Sequence, residues 1–548
     1  MKNYIAIILL ALITLCSCED VLDIQPLGQI SEDKVWVDSN LVRTYMNNCY
    51  NIAFEQGLFR TTQIGHATDE LHSIKGSVYY KQIVQGVITP DNISSGNAQI
   101  HPFLNCWSKF YSLNRDLNIF FEKIETAPIE DFIKNRMIGE MKFVRAYIYS
   151  RLIWTYGGVP IIDYQFDLGQ ENYSVTRNTY DECVTFIIDE LDDAIAMLPS
   201  EQTGKFLGRA SADAARALKA RVLLYAASPL NNPTNDLTRW QAASDAAEEL
   251  INTRYSLHND YHGLFLSHND EVIFARYHSQ ANQLALSLQV GRNGDHGWGS
   301  DSPTQNLVND YEMANGELPY LPDGSVNPAS GYDPQNPYVN RDPRFYASIL
   351  FDGAVWMNRA TETYTGGLDS RGGPIDNWNG SMTGYYIKKF VDEAVPVSGS
   401  TIYATSPWIV FRYGEILLNY AEAQFMLGHE DVARDYANDL RERMGVNMPL
   451  VDESGEALLE RIRHERRIEL VLEGHRYYDV RRWKIGHLTE VAPIMGITIT
   501  KTDDTKTYDY TSNKLLDRTW DNKLNLLPIP RTEVDRSLNT LEQNPGYN

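Results

Sequence analysis

The feature that most constrains the fold is a regular apolar spacing within residues 411–484. Leu417, Ala421 and Phe425 recur every four residues, which places them on one face of a helix that Gly428 ends. A second helix follows at once, and its expected apolar face consists of Ala433, Ala437, Leu440 and Met444. Two helices joined by so short a loop lie antiparallel and share their apolar faces. This stretch therefore predicts a helical hairpin.

The small residues around this hairpin are spaced as in a tetratricopeptide unit. Such a unit of roughly 34 residues buries its core only by stacking on neighbours, so further helix pairs are expected. Residues 129–156 and 179–198 form one such pair, in which Thr179 and Glu182 make a capping box. Residues 211–227 and 240–251 form another. The predicted fold class is mainly α, with a tetratricopeptide-like helical-repeat scaffold.

The helical pattern disappears between residues 259 and 402, where Gly, Pro, Asn and aromatic residues dominate around one strand predicted at 271–277. More than a hundred residues of irregular chain in a compact protein are typical of binding loops on a rigid scaffold. We therefore interpret residues 31–548 as one unit. Its parts are a mainly helical scaffold (31–258 and 403–490), an irregular ligand-binding lobe (259–402) and a closing segment (491–548) of strand and loop.

The N-terminus has the pattern of an export signal. After Lys2, the apolar run at residues 5–15 is too short to span a membrane but suits a signal peptide. Leu15 and Ser17 before Cys18 match the signal of a bacterial lipoprotein, which predicts removal of residues 1–17, lipidation of Cys18 and a tether at 18–30. The alternative is an ordinary secreted protein with chance cysteines. No later run reaches about 18 apolar residues, so attachment through the lipid alone is expected.

Composition narrows the classes of partner and cofactor. The chain has 72 acidic against 49 basic residues and a net charge of -23, which disfavours nucleic acid or an anionic membrane surface as the main partner. No C-x-x-C or HExxH motif is present, so we expect no cofactor and no zinc. The oxygen-rich segment 333–342 lacks the spacing of a calcium hand, and Asx turns are its expected use. Cys49, Cys106 and Cys183 allow at most one disulfide.

Several segments, in this order along the chain, resemble the SusD/RagB-like family of surface glycan-binding lipoproteins from Bacteroidetes. Besides Cys18 with EDVLDIQP, they are KFVRAYIYSRLIWTYGGVPII (142–162), ALKARVLLYAASPLNNP (217–233), PTQNLVNDYEMANG (303–316), NPYVNRDPRFYASIL (336–350), YYIKKFVD (385–392), ERRIELVLEGHRYYDVRRWK (465–484), and LLPIPRTEVDR with QNPGYN at the end. The resemblance implies four tetratricopeptide-like units and a loop lobe that holds the glycan. It also implies a lid over a SusC-like TonB-dependent outer-membrane barrel, facing the cell exterior.

The chemistry of sugars indicates which side chains could bind the ligand. A sugar ring has apolar faces and a rim of hydroxyl groups, so its receptor needs exposed aromatic planes and polar side chains beside them. The candidates come from two loops that each carry a tryptophan and from an earlier polar loop (61–97). They are Trp298 with His296 and Asp301, Trp378 with Arg371 and Asn377, and Tyr79, Tyr80, Asp69 and Glu70 of the earlier loop. Trp107, Trp154 and Trp240 lie on helix stripes and are assigned to the core. Arg359 or Arg371 could hold a uronic acid.

Two other functions fit parts of the sequence. A surface glycosidase would need two carboxylates about 5–9.5 Å apart, and the nameable pairs are Asp69 with Glu70 and Asp310 with Glu312. A peptide-binding scaffold would instead use the repeats themselves as the binding face. The basic run 461–484 has acidic residues interleaved at helical spacing, which favours a salt-bridged helix packed between the lobes over a nucleic-acid site.

Overall fold

A computed structural model describes residues 32–54, 64–73, 77–93, 104–166, 174–278, 290–376, 378–395 and 405–547. The signal peptide, Cys18 and Asn377 lie outside this part of the chain, as does the side chain of Tyr79. Within it, Cys49, Cys106 and Cys183 are buried free thiols. No helix of the described residues is long and apolar enough to cross a membrane.

Helices dominate the fold, and the strands are short. The α-helices are α1 (Glu32–Val35), α2 (Ser39–Ala53), α3 (Ser77–Val84), α4 (Trp107–Thr126), α5 (Asp131–Tyr156), α6 (Tyr180–Met197), α7 (Ala212–Ala227), α8 (Leu237–Glu248), α9 (Gln305–Asp310), α10 (Pro343–Ser348), α11 (Tyr413–Met426), α12 (Glu430–Glu442), α13 (Glu456–Glu469), α14 (Arg476–Arg482), α15 (Gly486–Thr489) and α16 (Arg531–Arg536). The strands are β1 (Leu71–Ser73), β2 (Val272–Arg276), β3 (Asp301–Pro303), β4 (Ile349–Leu350), β5 (Val355–Trp356), β6 (Arg359–Ala360), β7 (Tyr386–Ile387), β8 (Trp408–Arg412), β9 (Ile494–Met495), β10 (Thr498–Thr502), β11 (Thr505–Asp509) and β12 (Lys514–Leu516).

The longer helices form a continuous stack. Helix α5 packs on α6, α7 on α8, and α11 on α12, while α6 with α7 and α8 with α11 join one pair to the next. This arrangement confirms the predicted helix pairs and the tetratricopeptide-like scaffold, because each pair buries its apolar face only against its neighbours. Trp107, Trp154 and Trp240 lie in its core, as expected.

Local signals explain most of the helix ends. Helix α6 begins with the predicted capping box, in which Thr179 Oγ1 accepts from Glu182 N and the Glu182 carboxylate accepts from Thr179 N. Gly428, at φ +87°, takes the left-handed conformation just beyond α11. The prediction for Met444 is wrong: α12 ends at Glu442, and Met444 lies past the end of the helix with 65% of its surface exposed.

The strands pair antiparallel in twos and tie distant segments together. Strand β2, within the predicted 271–277, pairs with β8, which leads directly into α11. The chain at residue 411 is therefore strand, and the first helix of the opening hairpin begins at Tyr413. Strand β1 pairs with β3, which joins the early polar segment to the irregular lobe. That early segment was predicted as loop, but it contains α3, which carries Tyr80.

The segment predicted as one charged helix forms α13 and α14, and the C-terminal half of α13 is buried between the scaffold and the irregular lobe. In α13, Glu465 and Glu469 are each at most 1% exposed and contact Arg344 of α10 in the lobe. Other ion pairs between the two parts are Arg441 with Glu312 (2.8 Å), Arg412 with Glu271 (2.7 Å) and Arg443 with Glu271 (3.3 Å). We call this set the interlobe ion-pair network. The salt bridges predicted for residues 461–484 are therefore present, and those that reach the lobe are buried and neutralise one another.

Candidate functional site

Three segments that are far apart in the sequence meet at one face of the irregular lobe. Gly380 N donates a hydrogen bond to Trp298 O (3.0 Å), which joins the two loops that carry the candidate tryptophans. Asn293 Nδ2 donates a hydrogen bond to Asp376 O (2.9 Å), which lies in the loop that carries Trp378. In the β1–β3 pair, Ser73 lies opposite Asp301, which brings the early polar segment to this face. The structure thus gathers loops that the sequence analysis could only treat separately.

The loop at residues 370–381 is closed at its base by a bridge and a hydrogen bond. Ser370 and Ser381 form an isolated β-bridge, and Ser381 N donates to the buried phenol oxygen of Tyr386 (3.2 Å). Gly380 has a φ of +105°, and a Cβ added there would lie 3.0 Å from Arg371 N, so only glycine allows this close approach. Two residues earlier, Trp378 is 56% exposed.

The accessible candidates are those on the two loops. Trp378 and Arg371 are exposed on the closed loop, and Trp298 is half-buried on the neighbouring one. His296 is also exposed, and it occupies the left-handed region at φ +63°, at the end of a short turn that starts at Asn293. Together these side chains offer aromatic planes and polar groups on one surface, which is the combination a sugar ring requires.

The acidic candidates of the early segment are buried instead. The Asp69 carboxylate is 6% exposed and accepts from Arg467 (3.0 Å) and Arg476 (3.0 Å). Burial alone would raise the pKa of Asp69, but these two guanidinium groups hold it well below its usual range. Glu70 is 1% exposed, and burial, partly opposed by Arg467, raises its pKa to about 7. Both carboxylates therefore face the interior of the protein rather than a bound ligand.

Two further candidates, Tyr80 and Asp301, are also buried. Tyr80 is 3% exposed, and its ring centroid lies 5.4 Å from that of His66. Asp301 is 2% exposed, with its carboxylate 3.2 Å from His66 Nε2. The assignment of Asp69, Glu70, Tyr80 and Asp301 to the ligand surface is corrected, because all four side chains are buried in the interior. The sequence showed the polar residues but not their partners, since Arg467 lies 398 positions from Asp69.

The residues of the described part of the chain that could bind a metal ion are arranged for other contacts. Those residues contain no cluster of three or more His, Cys, Asp or Glu side chains arranged to hold a metal ion. In the oxygen-rich segment, Asp333 accepts from Gln335 N (2.9 Å) and Asp342 from Arg344 N (2.8 Å). Asp333 and Asp342 thus make the predicted turn and cap contacts.

Sequence reasoning missed the residues that hold the site together. Asn293 also donates to Ser370 O (3.2 Å), and Tyr386, which is fully buried, anchors both Ser381 and Asn293. Tyr386 belongs to the segment YYIKKFVD, where it looked like one more loop aromatic. The signal that could have found these supports is the density of Asn-Gly and Gly-Gly pairs at 293–294 and 372–373, which marks tight turns.

The fold and this surface define a helical-repeat scaffold protein that presents an aromatic, loop-built face. The sequence model of the SusD family matches residues 270–547, and a second model described as "Starch-binding associating with outer membrane" matches residues 21–224. The chain belongs to the SusD family.

Known relatives match nearly the whole chain. A SusD-like protein of Bacteroides fragilis shares 31% identity and superimposes with a TM-score of 0.79, covering 95% of this chain and 100% of its own. A SusD-like carbohydrate binding protein from the same species has 25% identity and a TM-score of 0.77, covering 93% and 99%. A SusD-like protein of Formosa agariphila is 24% identical over 538 residues, which is 90% of this chain and 93% of the relative. These matches agree with a mainly helical fold throughout.

Proposed function

We propose that this chain is a non-catalytic cell-surface lipoprotein that captures oligosaccharides and delivers them to a SusC-like TonB-dependent outer-membrane transporter. Membership of the SusD family supports this role, as does the relative described as a carbohydrate binding protein. The glycan would lie on the surface formed by Trp378, Trp298, Arg371 and His296.

The observation that carries the proposal is the exposure of Trp378 on a loop that is closed at its base. Trp378 has 56% of its surface exposed, so its indole is accessible to a ligand, and it lies on a loop joined to a second tryptophan loop. Its loop is closed by the Ser370–Ser381 bridge and joined to the Trp298 loop through Gly380. A loop closed before binding loses little backbone freedom when its indole stacks against a sugar ring, which favours affinity.

The two carboxylate pairs considered for a hydrolase are paired with arginines or buried. Glu312 is 1% exposed and pairs with Arg441 (2.8 Å) and Arg461 (2.7 Å). Burial would raise the pKa of Glu312, but His464 and Arg441 lower it to about 2, the wrong direction for a general acid. Its intended partner Asp310 is bound by Arg467. The other pair, Asp69 and Glu70, is buried.

The protein would be attached to the cell surface through its N-terminus. Lipidation of Cys18 would hold the protein at the outer membrane through the tether at residues 18–30, facing the exterior. The family description "associating with outer membrane" supports this location. The helical stack would then contact the barrel, while the loop surface would receive the glycan.

A glycan panel tests the binding role. The chain without residues 1–18 is incubated with plant, host and microbial polysaccharides, and both retention and newly formed reducing ends are followed. We expect retention without release. The double variant Trp298→Ala/Trp378→Ala should lose retention at least tenfold, whereas Phe132→Ala, which removes a ring that is 79% exposed at the start of α5, should bind normally. Release of reducing ends, or unchanged binding by the double variant, would contradict the proposal.

The transporter role has its own test. The full-length chain, carrying a C-terminal tag, is purified from detergent-solubilised outer membranes, and bound proteins are identified by mass spectrometry. We expect a TonB-dependent barrel in near-equal amount. The Cys18→Ala variant should be absent from the membrane fraction. Purification of the lipidated chain alone would count against the partnership.

A further inference from the structure

Arg371 stands out among the arginines of the described residues. Every other one except Arg115 has an ion pair, a hydrogen bond or an aromatic ring beside its guanidinium, as in the interlobe ion-pair network. Arg371 is exposed, and within the described part of the chain its guanidinium has no such contact. In a protein with 72 acidic residues, a cation left without a carboxylate at the candidate site requires an explanation.

Arg359, the other arginine that the sequence suggested for an acidic sugar, is already neutralised. It pairs with Asp369 (2.6 Å) and Asp295 (2.8 Å). Arg292 also pairs with Asp295, at 2.7 Å. These contacts complete the hydrogen bonding of both guanidinium groups inside the lobe, so neither is available to a ligand.

The backbone of Arg371 is fixed beside Trp378. Gly380 lies against Arg371 N, and Ser370 is bridged to Ser381, so Arg371 and Trp378 belong to the same closed loop. The charge of Arg371 also affects the pKa of His72 in β1. Burial is the main cause that lowers the pKa of His72, to about 4, and the charges of His66 and Arg371 lower it further. The guanidinium is thus close enough to β1 for its charge to act on His72.

The acidic groups nearby do not cancel this charge. Asp295 and Asp369 are paired with arginines, and Asp301 lies against His66. Asp376 belongs to the same loop but makes no ion pair with Arg371 in the described structure. The net charge of -23 acts only weakly here, because salt screens charges over about 8 Å at physiological ionic strength. The electrostatic field at an anionic ligand group in contact with Arg371 therefore comes mainly from the Arg371 guanidinium.

We infer that the captured glycan carries an anionic group, the carboxylate of a uronic acid or a sulfate ester, that binds Arg371 while a neighbouring ring stacks on Trp378. This inference rests on the proposed function, since it names the substrate class of the same surface. A planar guanidinium donates two parallel hydrogen bonds to either anion, which gives direction as well as affinity. His72 stays neutral below the surface and leaves the binding charge to Arg371.

The test uses matched pairs of glycans with the chain lacking residues 1–18. The acidic probes are oligogalacturonate, alginate oligosaccharides and a sulfated fucan. Their partners are the carboxyl-reduced or desulfated forms, and starch, laminarin and xylan oligosaccharides are the neutral members. Titration calorimetry at 50 and 500 mM NaCl measures each affinity. The two acidic arms distinguish a carboxylate from a sulfate.

We expect at least one acidic probe to bind and its neutral partner to bind at least tenfold more weakly. Arg371→Gln should lose the same factor for the acidic probe, Arg371→Lys should lose less, and Arg115→Gln should bind like the parent. Tighter binding of neutral probes, with no effect of Arg371→Gln, overturns the inference and leaves the glycan-binding role intact. Failure of every probe to bind overturns both.

Discussion

The interlobe ion-pair network makes a quantitative prediction about stability. Glu469, at 0% exposure, accepts from Arg412 (2.8 Å) and Arg344 (3.1 Å) and lies 2.9 Å from Arg443. Burial alone would raise the pKa of Glu469, but Arg443, Arg412 and Arg344 hold it well below its usual range. The Glu469→Gln substitution preserves the shape of the side chain and removes the charge that these cations share.

The expected cost follows from the burial of the partners. Removing one member of a buried ion pair leaves an uncompensated charge and costs about 3–5 kcal/mol. Three guanidinium groups lose a shared partner here, although Glu271 and Glu473 still contact Arg412. We therefore expect Glu469→Gln to lower the free energy of unfolding by about 3–5 kcal/mol.

The assay is urea unfolding followed by tryptophan fluorescence, because uncharged urea does not screen ion pairs. The control is Glu460→Gln on the same helix, where the Glu460 side chain is 65% exposed and contacts Arg463 at 3.1 Å. An exposed pair of this kind contributes less than about 1 kcal/mol. If Glu469→Gln destabilises the protein no more than Glu460→Gln, the network does not hold the lobe to the scaffold, and the reasoning is refuted.

Two further predictions concern acid stability and the closed loop. Burial opposes ionisation of Glu422, but Arg482 lowers the pKa of Glu422 to about 2. Ionised Glu422 therefore stabilises the fold at pH values above the pKa of about 4 that a glutamate has in the unfolded chain. This contribution is lost as the pH falls towards 2. Glu422→Gln should consequently be less stable at pH 7 and show a flatter loss of stability between about pH 4 and pH 2, and an unchanged acid profile would exclude this role. Gly380→Ala should strain the loop by about 1–3 kcal/mol and weaken glycan binding, whereas Gly366→Ala, also at positive φ but with open space around it, should leave binding unchanged. Equal affinities of the two glycine variants in titration calorimetry would show that the close approach at Gly380 is unimportant.

Sequence patterns predicted the scaffold because its determinants are local. The apolar stripe of α11, the capping box of Thr179 and Glu182, and the left-handed Gly428 each act within a few residues. Stacking of the pairs then follows from the need to bury their faces. Met444 was wrongly predicted to lie on the apolar face of the second helix. That helix ends two residues before Met444, at Glu442, and periodicity does not reveal this boundary.

The candidate site was less predictable because its determinants are distant in sequence. Trp298 and Trp378 were recognised as loop aromatics, but their meeting depends on Gly380 N and Trp298 O. The burial of Asp69 depends on Arg467 and Arg476, which follow it by 398 and 407 positions. Polarity alone therefore identified the segments that gather at the surface, while only the fold separates exposed side chains from supporting ones.

The most direct test of the central proposal is a crystal structure of the chain with a retained glycan bound. We predict a sugar ring against the indole of Trp378, with Trp298 and Arg371 within contact distance of the same ligand. A glycan bound elsewhere, with solvent over Trp378, would contradict the assignment of this surface.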